Sequence, residues 1–364
     1  MKPDHVKLFI PGPTEVRAEI RQAQAQPMIG HRGSAFTDLF ARTQKKLRQV
    51  FYTAARVYLS TSSGTGLWEA ASRNGIREGR KVLHVVNGAF SERWAYTSQA
   101  NGKQVVAIEL EWGCAARGEM IRDALRAGGF DAVAFVHNET STGAMSPLEE
   151  IAQVMKEFPD VLFLVDAVSS AAGVRIEVDR LGVDMLVASS QKAFGLPPGL
   201  AFAPASDRML ARAKEVPYRG YYFDLLSLEK SLVKNETPTT PAISLMFALD
   251  RQLDDMLAEG LETRFNRHIQ MAQMTQTWVR ENGLELFPEP GFSSYTVTTV
   301  KNTRQIDVAA LNTFLKGQGM QISNGYSQLK DKTFRIAHMG DTRCEEMQDL
   351  LTAMSAYLES ARQG

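Results

Sequence analysis

Through its first two thirds the chain alternates short apolar runs with stretches whose apolar residues recur at helical spacing. Runs at 56–61, 82–86, 105–110, 132–137, 161–165, 185–188 and 200–203 predict strands. Between them, segments such as 148–158 place Ile151, Val154 and Met155 on one helical face. This alternation predicts an α/β domain with a mostly parallel sheet covered by helices, although periodicity does not give the strand order. After about Tyr222 the pattern changes. The run Thr237-Pro238-Thr239-Thr240-Pro241 punctuates the chain, and a long helical pattern follows from 243 towards 281. A smaller α+β stretch comes next, with strands near 294–300 and 333–337 and helices near 308–316 and 345–361. The expected organisation is a large domain over 16–245 and a smaller one over 246–364 that takes in the N-terminal segment 1–15, joined by a long helix. No internal repeat, low-complexity tract or charged tail interrupts it.

Composition narrows the partners. The 364 residues carry 41 basic and 41 acidic side chains, so nothing electrostatic favours nucleic acid or an anionic membrane. Two cysteines, Cys114 and Cys344, make no disulfide framework and suit a reducing cytosol. Met1-Lys2-Pro3-Asp4-His5 has no long apolar core behind it, and no apolar run reaches membrane-spanning length. Sequons at Asn138 and Asn235 carry no glycan in such a compartment. A soluble cytoplasmic protein without a metal is expected.

The chemistry gathers around Lys192. It ends the apolar run Leu186-Val187-Ala188-Ser189-Ser190-Gln191-Lys192 and enters the Gly/Pro-rich turn Ala193-Phe194-Gly195-Leu196-Pro197-Pro198-Gly199. Upstream, Val161-Leu162-Phe163-Leu164-Val165 is a buried-strand run that ends at Asp166. Taken singly, these are a loop lysine and a turn-opening Asp. Together they suit pyridoxal phosphate, which takes a lysine as a Schiff base and an acid as partner of its ring nitrogen. The run Ser62-Ser63-Gly64-Thr65-Gly66-Leu67 follows a strand and opens a helix, where free N–H groups and the helix dipole make a phosphate cradle. A dinucleotide reading fails because Glu69 stands where the third glycine of that fingerprint belongs. A helix cap without a ligand is the other reading of this run.

Assembled, the motifs resemble the class V aminotransferases, within fold-type I of the pyridoxal-phosphate enzymes, and most of all the alanine–glyoxylate and serine–glyoxylate or serine–pyruvate group. The resemblance rests on Pro11-Gly12-Pro13-Thr14, Gly30-His31-Arg32, Ser63-Gly64-Thr65-Gly66, Asn87-Gly88-Ala89-Phe90, Glu139-Thr140-Ser141-Thr142-Gly143, Val165-Asp166-Ala167-Val168, Ser189-Ser190-Gln191-Lys192, Thr239-Thr240-Pro241 and Phe334-Arg335-Ile336. It implies a seven-stranded, mostly parallel sheet and a smaller α+β domain. It also implies that Lys192 carries the cofactor and shuttles a proton, and that Asp166 pairs with the pyridine nitrogen. Val168 and Phe90 would cover the two ring faces, and Thr140 would lie near the ring oxygen. Ser63, Gly64, Thr65 and Gln191 would hold the phosphate, and Arg335 would clamp the substrate carboxylate with its planar fork. Thr239 or Thr240 would reach the phosphate in the partner subunit of a homodimer. Phe90 departs from the group, which usually has Trp there. His31 and Arg32 match a pair that reads substrate phosphate in phosphoserine aminotransferases, the nearest rival; a structural or mouth-lining role is favoured here. A cysteine desulfurase needs a nucleophilic Cys before Arg335, and residues 319–332 contain none. The implied activity is amino transfer from alanine or serine to a 2-oxo acid such as glyoxylate or pyruvate. A non-catalytic scaffold is the rival of a different class.

Overall fold

The computed structural model describes residues 5–363. In chain order its strands are β1 (Lys7–Phe9), β2 (Arg56–Ser60), β3 (Lys81–Val86), β4 (Gln104–Glu109), β5 (Phe130–Val136), β6 (Asn138–Glu139), β7 (Ala144–Met145), β8 (Leu162–Asp166), β9 (Met185–Ser189), β10 (Ala201–Ala205), β11 (Glu285–Leu286), β12 (Val297–Lys301), β13 (Met320–Asn324) and β14 (Thr333–Ala337). Seven of them form one sheet in the order β2-β10-β9-β8-β5-β3-β4. β10 runs antiparallel to both its neighbours, and the remaining pairs are parallel. The central strands β5, β8 and β9 are buried along their whole length, which is why they read as unbroken apolar runs. On one face Phe135 and Phe163 of adjacent strands stack with ring centroids 5.7 Å apart. Burying each such ring contributes roughly 1.5–3 kcal/mol.

The second sheet has the order β1-β13-β14-β12-β11 and its own apolar core, which includes Phe9, Ile322, Phe334, Ile336, Leu350 and Met354. Strand β1 pairs with β13 in parallel, so Lys7–Phe9 belong to the second sheet. The helical pattern expected to run unbroken from 243 to 281 is instead two helices, Ile243–Glu259 and Leu261–Glu281. They break at Gly260, whose φ of +84° is open to glycine at little cost. The first of them packs Met246, Leu249, Leu253 and Met256 into the core of the large sheet, so that core continues past residue 245. Among the described residues no helix is long and apolar enough to cross a membrane.

Candidate active site

In an open α/β sheet the crevice beyond the carboxyl ends of the strands is where ligands bind. Here β2 delivers Ser63 and Gly64 to that edge, β3 delivers Phe90, β5 delivers Thr140, β8 ends on Asp166, and β9 leads directly into Gln191 and Lys192. Parallel pairing of β8 with β9 puts Asp166 and the start of the lysine turn side by side.

Asp166 is 3 % exposed and is fully engaged. One carboxylate oxygen accepts from Trp68 Nε1–H at 2.7 Å, and the other accepts from the backbone N–H of Val168 at 2.7 Å. Burial nevertheless pushes its pKa up to about 7, against the pull of those two donors. Such a carboxylate gains most from a cationic partner at its open side. Lys192 is shifted the other way. Burial, and then the charge of Arg335, bring its pKa down to about 8, so its amine is available as a nucleophile near neutrality. The segment ahead of β2 wraps this lysine: Nζ donates to the Pro11 carbonyl, while Thr14 donates through its N–H to Gln191 and through its hydroxyl to the Lys192 carbonyl. Gly12 permits the approach, because a Cβ there would lie 2.8 Å from Nζ.

The cradle opens the helix Gly64–Gly75, whose cap Ser63 makes no side-chain bond to the first turn. Gly66 N–H bonds the Ser63 carbonyl at 3.0 Å, and the N–H groups ahead of it, on Gly64 and Thr65, are left for an anion. A Cβ on Gly64 would fall 2.7 Å from Val168 Cγ2, so the absence of a side chain lets Val168 close over the cradle beside Asp166. Gln191 turns its amide oxygen to the Ser189 hydroxyl at 2.6 Å. Thr140 Oγ1 lies 2.5 Å from Ser169 Oγ. Taken together, the donor set fits a group with a phosphate, a basic ring nitrogen and a carbonyl carbon.

Arg335 comes from the second sheet. Its Nε–H donates to the Asn324 carbonyl and an Nη1–H to the Thr140 carbonyl, both at 3.2 Å, which leaves part of the fork free. Burial lowers its pKa to about 10, with Tyr326 and Glu139 acting in the opposite sense. Phe90 lies 5.9 Å below Lys192 Nζ on one side and stacks on Tyr326 on the other.

Two residues with large roles had no role assigned from sequence. Trp68 bonds Asp166 across 98 residues, a separation that no local pattern reports. Glu139 is wholly buried and accepts from the backbone N–H groups of Phe90, Ser91 and Ser141 and from the hydroxyls of Ser91 and Ser141. It thereby joins the start of the helix Ala89–Ala100, which carries Phe90, to the turn that carries Thr140. A buried acid at the end of an apolar strand was the available signal, the same one that marked Asp166.

Thr239 and Thr240 do not join the lysine cluster in their own chain. They lie in a turn at the β2 edge, where Thr237 Oγ1–H donates to the Thr239 carbonyl. Arg32 holds this turn, donating to the carbonyls of Thr237 at 2.6 Å and Pro238 at 3.3 Å. Cys114 and Cys344 are free thiols, and burial raises both pKa values.

A seven-stranded sheet of this order, with a lysine and an acid at adjoining strand ends, is the fold-type I architecture of pyridoxal-phosphate transferases. The chain belongs to the class V aminotransferases: the family model matches residues 14–340, and the protein is a transaminase. It is 39% identical to an uncharacterized aminotransferase of Methanocaldococcus jannaschii, over 97% of this chain and 92% of that one. An L-aspartate–glyoxylate aminotransferase of Paracoccus denitrificans is 34% identical, over 92% of this chain and 86% of its own. The crystal structure of an alanine–glyoxylate aminotransferase from Nostoc sp. superposes with a TM-score of 0.92 at 30% identity, covering 98% and 96% of the two chains.

Proposed function

We propose that the protein uses pyridoxal 5′-phosphate to move the amino group of a small amino acid, alanine or serine, to a 2-oxo acid such as glyoxylate or pyruvate. The observation that carries this reading is the pairing of Lys192, its pKa lowered to about 8, with Asp166, raised to about 7, at neighbouring strand ends. When bound, the cofactor supplies a carbonyl carbon for amine exchange and a ring that draws electrons from the substrate Cα. Asp166 would then hold the ring-nitrogen proton, and Lys192 Nζ would take a proton from Cα and return it. Arg335 would bind the α-carboxylate through the N–H groups it leaves free. Phe90 and Val168 would fix the ring between them. Arg32, committed to two backbone carbonyls, is poorly placed to read a substrate phosphate, which weighs against a phosphoserine donor.

We also propose a homodimer with shared sites, and a cytoplasmic location suited to two free thiols. Tyr218, Tyr221 and Tyr222 are 95%, 77% and 42% exposed. Tyr222 lies beside the Thr239 turn and bonds the Thr61 carbonyl just before the cradle. A second copy covering this patch could bring its Thr239 or Thr240 to the cradle, where a hydroxyl adds one charge-assisted bond.

A donor panel of alanine, serine, aspartate, glutamate and phosphoserine, each against glyoxylate and pyruvate, tests the substrate reading. Alanine or serine should give the highest kcat/KM; aspartate or phosphoserine in that place would overturn it. Mixing Lys192→Ala chains with chains carrying both Thr239→Val and Thr240→Val tests the shared site. Verified mixed dimers should regain one working site, and none regained would end the idea.

A further inference from the structure

Tyr326 lies in the loop between β13 and β14. Gly325 makes the loop tight, since a Cβ there would fall 2.0 Å from the Leu329 carbonyl oxygen. Its N–H donates to Thr333 at 2.8 Å, and Asn324 pairs with Asp331 across the loop base at 2.6 Å. The loop is thus tied to the strand that presents Arg335. From it Tyr326 reaches across to the helix Ala89–Ala100 of the large sheet. Its ring stacks on Phe90 with centroids 5.2 Å apart and planes 22° from parallel. Arg93 donates to its hydroxyl at 2.6 Å.

The ends of this aromatic pair face the two groups that would grip a substrate. Lys192 Nζ lies 5.9 Å from the Phe90 centroid, and the Arg335 guanidinium lies 5.4 Å from that of Tyr326. An amino acid held at its amino end near Lys192 and at its carboxylate by Arg335 must lie along the pair. On the other side of Tyr326 is an open groove of about 650 Å³, lined by Arg93, Tyr96, Glu109 and Ser327 among others. Tyr326 thus lines the groove while its ring also stands beside Phe90 and Arg335.

We infer that Tyr326 is the wall on the side-chain side of the substrate site, and that its ring, pinned by Arg93, restricts the amino donor to short side chains. This rests on the transaminase reading above. Without the ring, the site opens into the groove and the Arg93 cation is released towards it, where a distal carboxylate can meet it.

The test compares Tyr326→Ala and Tyr326→Phe with the wild type in the loaded enzyme. For Tyr326→Ala, kcat/KM for aspartate and glutamate relative to alanine should rise at least about tenfold, the scale on which a pocket wall discriminates. Tyr326→Phe keeps the stack on Phe90 and loses the Arg93 pin, so its ratio should lie between those of the wild type and Tyr326→Ala. Adding Arg93→Leu to Tyr326→Ala should erase the gain for acidic donors while keeping any gain for norvaline. A readout independent of turnover is the affinity of succinate relative to propionate, measured by calorimetry, which should shift the same way. If Tyr326→Ala is unstable, Tyr326→Ser is measured identically. All donors falling together, with the succinate-to-propionate ratio unchanged, would overturn the wall. A wild type that prefers aspartate would instead defeat the small-donor reading, and the wall would still be judged by the shift in ratio alone.

Discussion

At its lysine end the candidate site is built from neighbouring strands of one sheet, whereas its arginine end is delivered by a different sheet. Asp166 and Lys192 follow β8 and β9, are held in register by that pairing, and have their surroundings filled by Trp68, Val168 and the Pro11–Thr14 segment. Arg335 reaches the same cavity from β14 and meets the large sheet through one bond to the Thr140 carbonyl and through the Tyr326 stack on Phe90. One end is rigid because packing over-determines it. The other stands on a second core, which is itself bonded to loops of the large sheet: Ser294 N–H donates to the Gly143 carbonyl, Met145 N–H to the Phe292 carbonyl and the Thr296 hydroxyl to the Ser169 carbonyl. Substitutions at the two ends should therefore fail in different ways.

Lys192→Ala should bring transamination to the background of the assay, and borohydride reduction followed by peptide mapping of the wild type should place the pyridoxyl mass on the Lys192 peptide. Mass on another lysine would remove it from the reaction. Asp166→Asn should retain the cofactor and lose turnover by about two to four decades, because removing one member of a buried charge pair costs about 3–5 kcal/mol. Near-normal turnover would take Asp166 out of the mechanism. Arg335→Lys keeps the charge and breaks the fork. Its loss should fall mainly on kcat/KM in both half-reactions, by roughly one to two decades. If it lost amino acids and the corresponding decarboxylated amines equally, the carboxylate role would be wrong.

A smaller effect sharpens the contrast through pH. In the cofactor-free protein the Asp166 carboxyl is raised from 3.8 to about 7, so the folded state holds its proton more tightly than the unfolded state. Its charge therefore costs stability progressively as pH rises from about 4 through 7. Cofactor-free Asp166→Asn should melt higher than cofactor-free wild type at pH 8 and equally at pH 4. An advantage at pH 4 that vanished at pH 8 would reverse the assignment.

The strands of the large sheet were legible because both their faces are buried, so each of β5, β8 and β9 is an uninterrupted apolar word between polar turns. The second sheet was only half legible. β13 is mostly half-exposed and β1 is three residues long, so neither has an apolar run to announce it. Gly260 was hidden inside an otherwise continuous helical period, and the bend there became visible only through its φ. Within the site, motif positions such as Lys192, Asp166 and Arg335 were readable because their chemistry is unusual for their surroundings. Trp68, Glu139 and Tyr326 were not given roles, because each earns its place through partners 48 or more residues away. Thr239 and Thr240 belong to a different case: one chain leaves them at the β2 edge.

The strap over residues 7–14 sets an order of events at synthesis. Lys7 bonds Gly319, β1 pairs with residues 320–322, and Thr14 bonds Gln191 and Lys192. Strand β1 precedes its partner β13 by more than 300 residues, so it stays unpaired while the chain between them is made. The nascent protein can finish its large sheet before β13 is made, yet the strap over the lysine gains its strand anchor only once β13 follows. A chain stalled short of β13 would carry the cradle, the acid and the lysine and lack the strand that anchors the strap beside them.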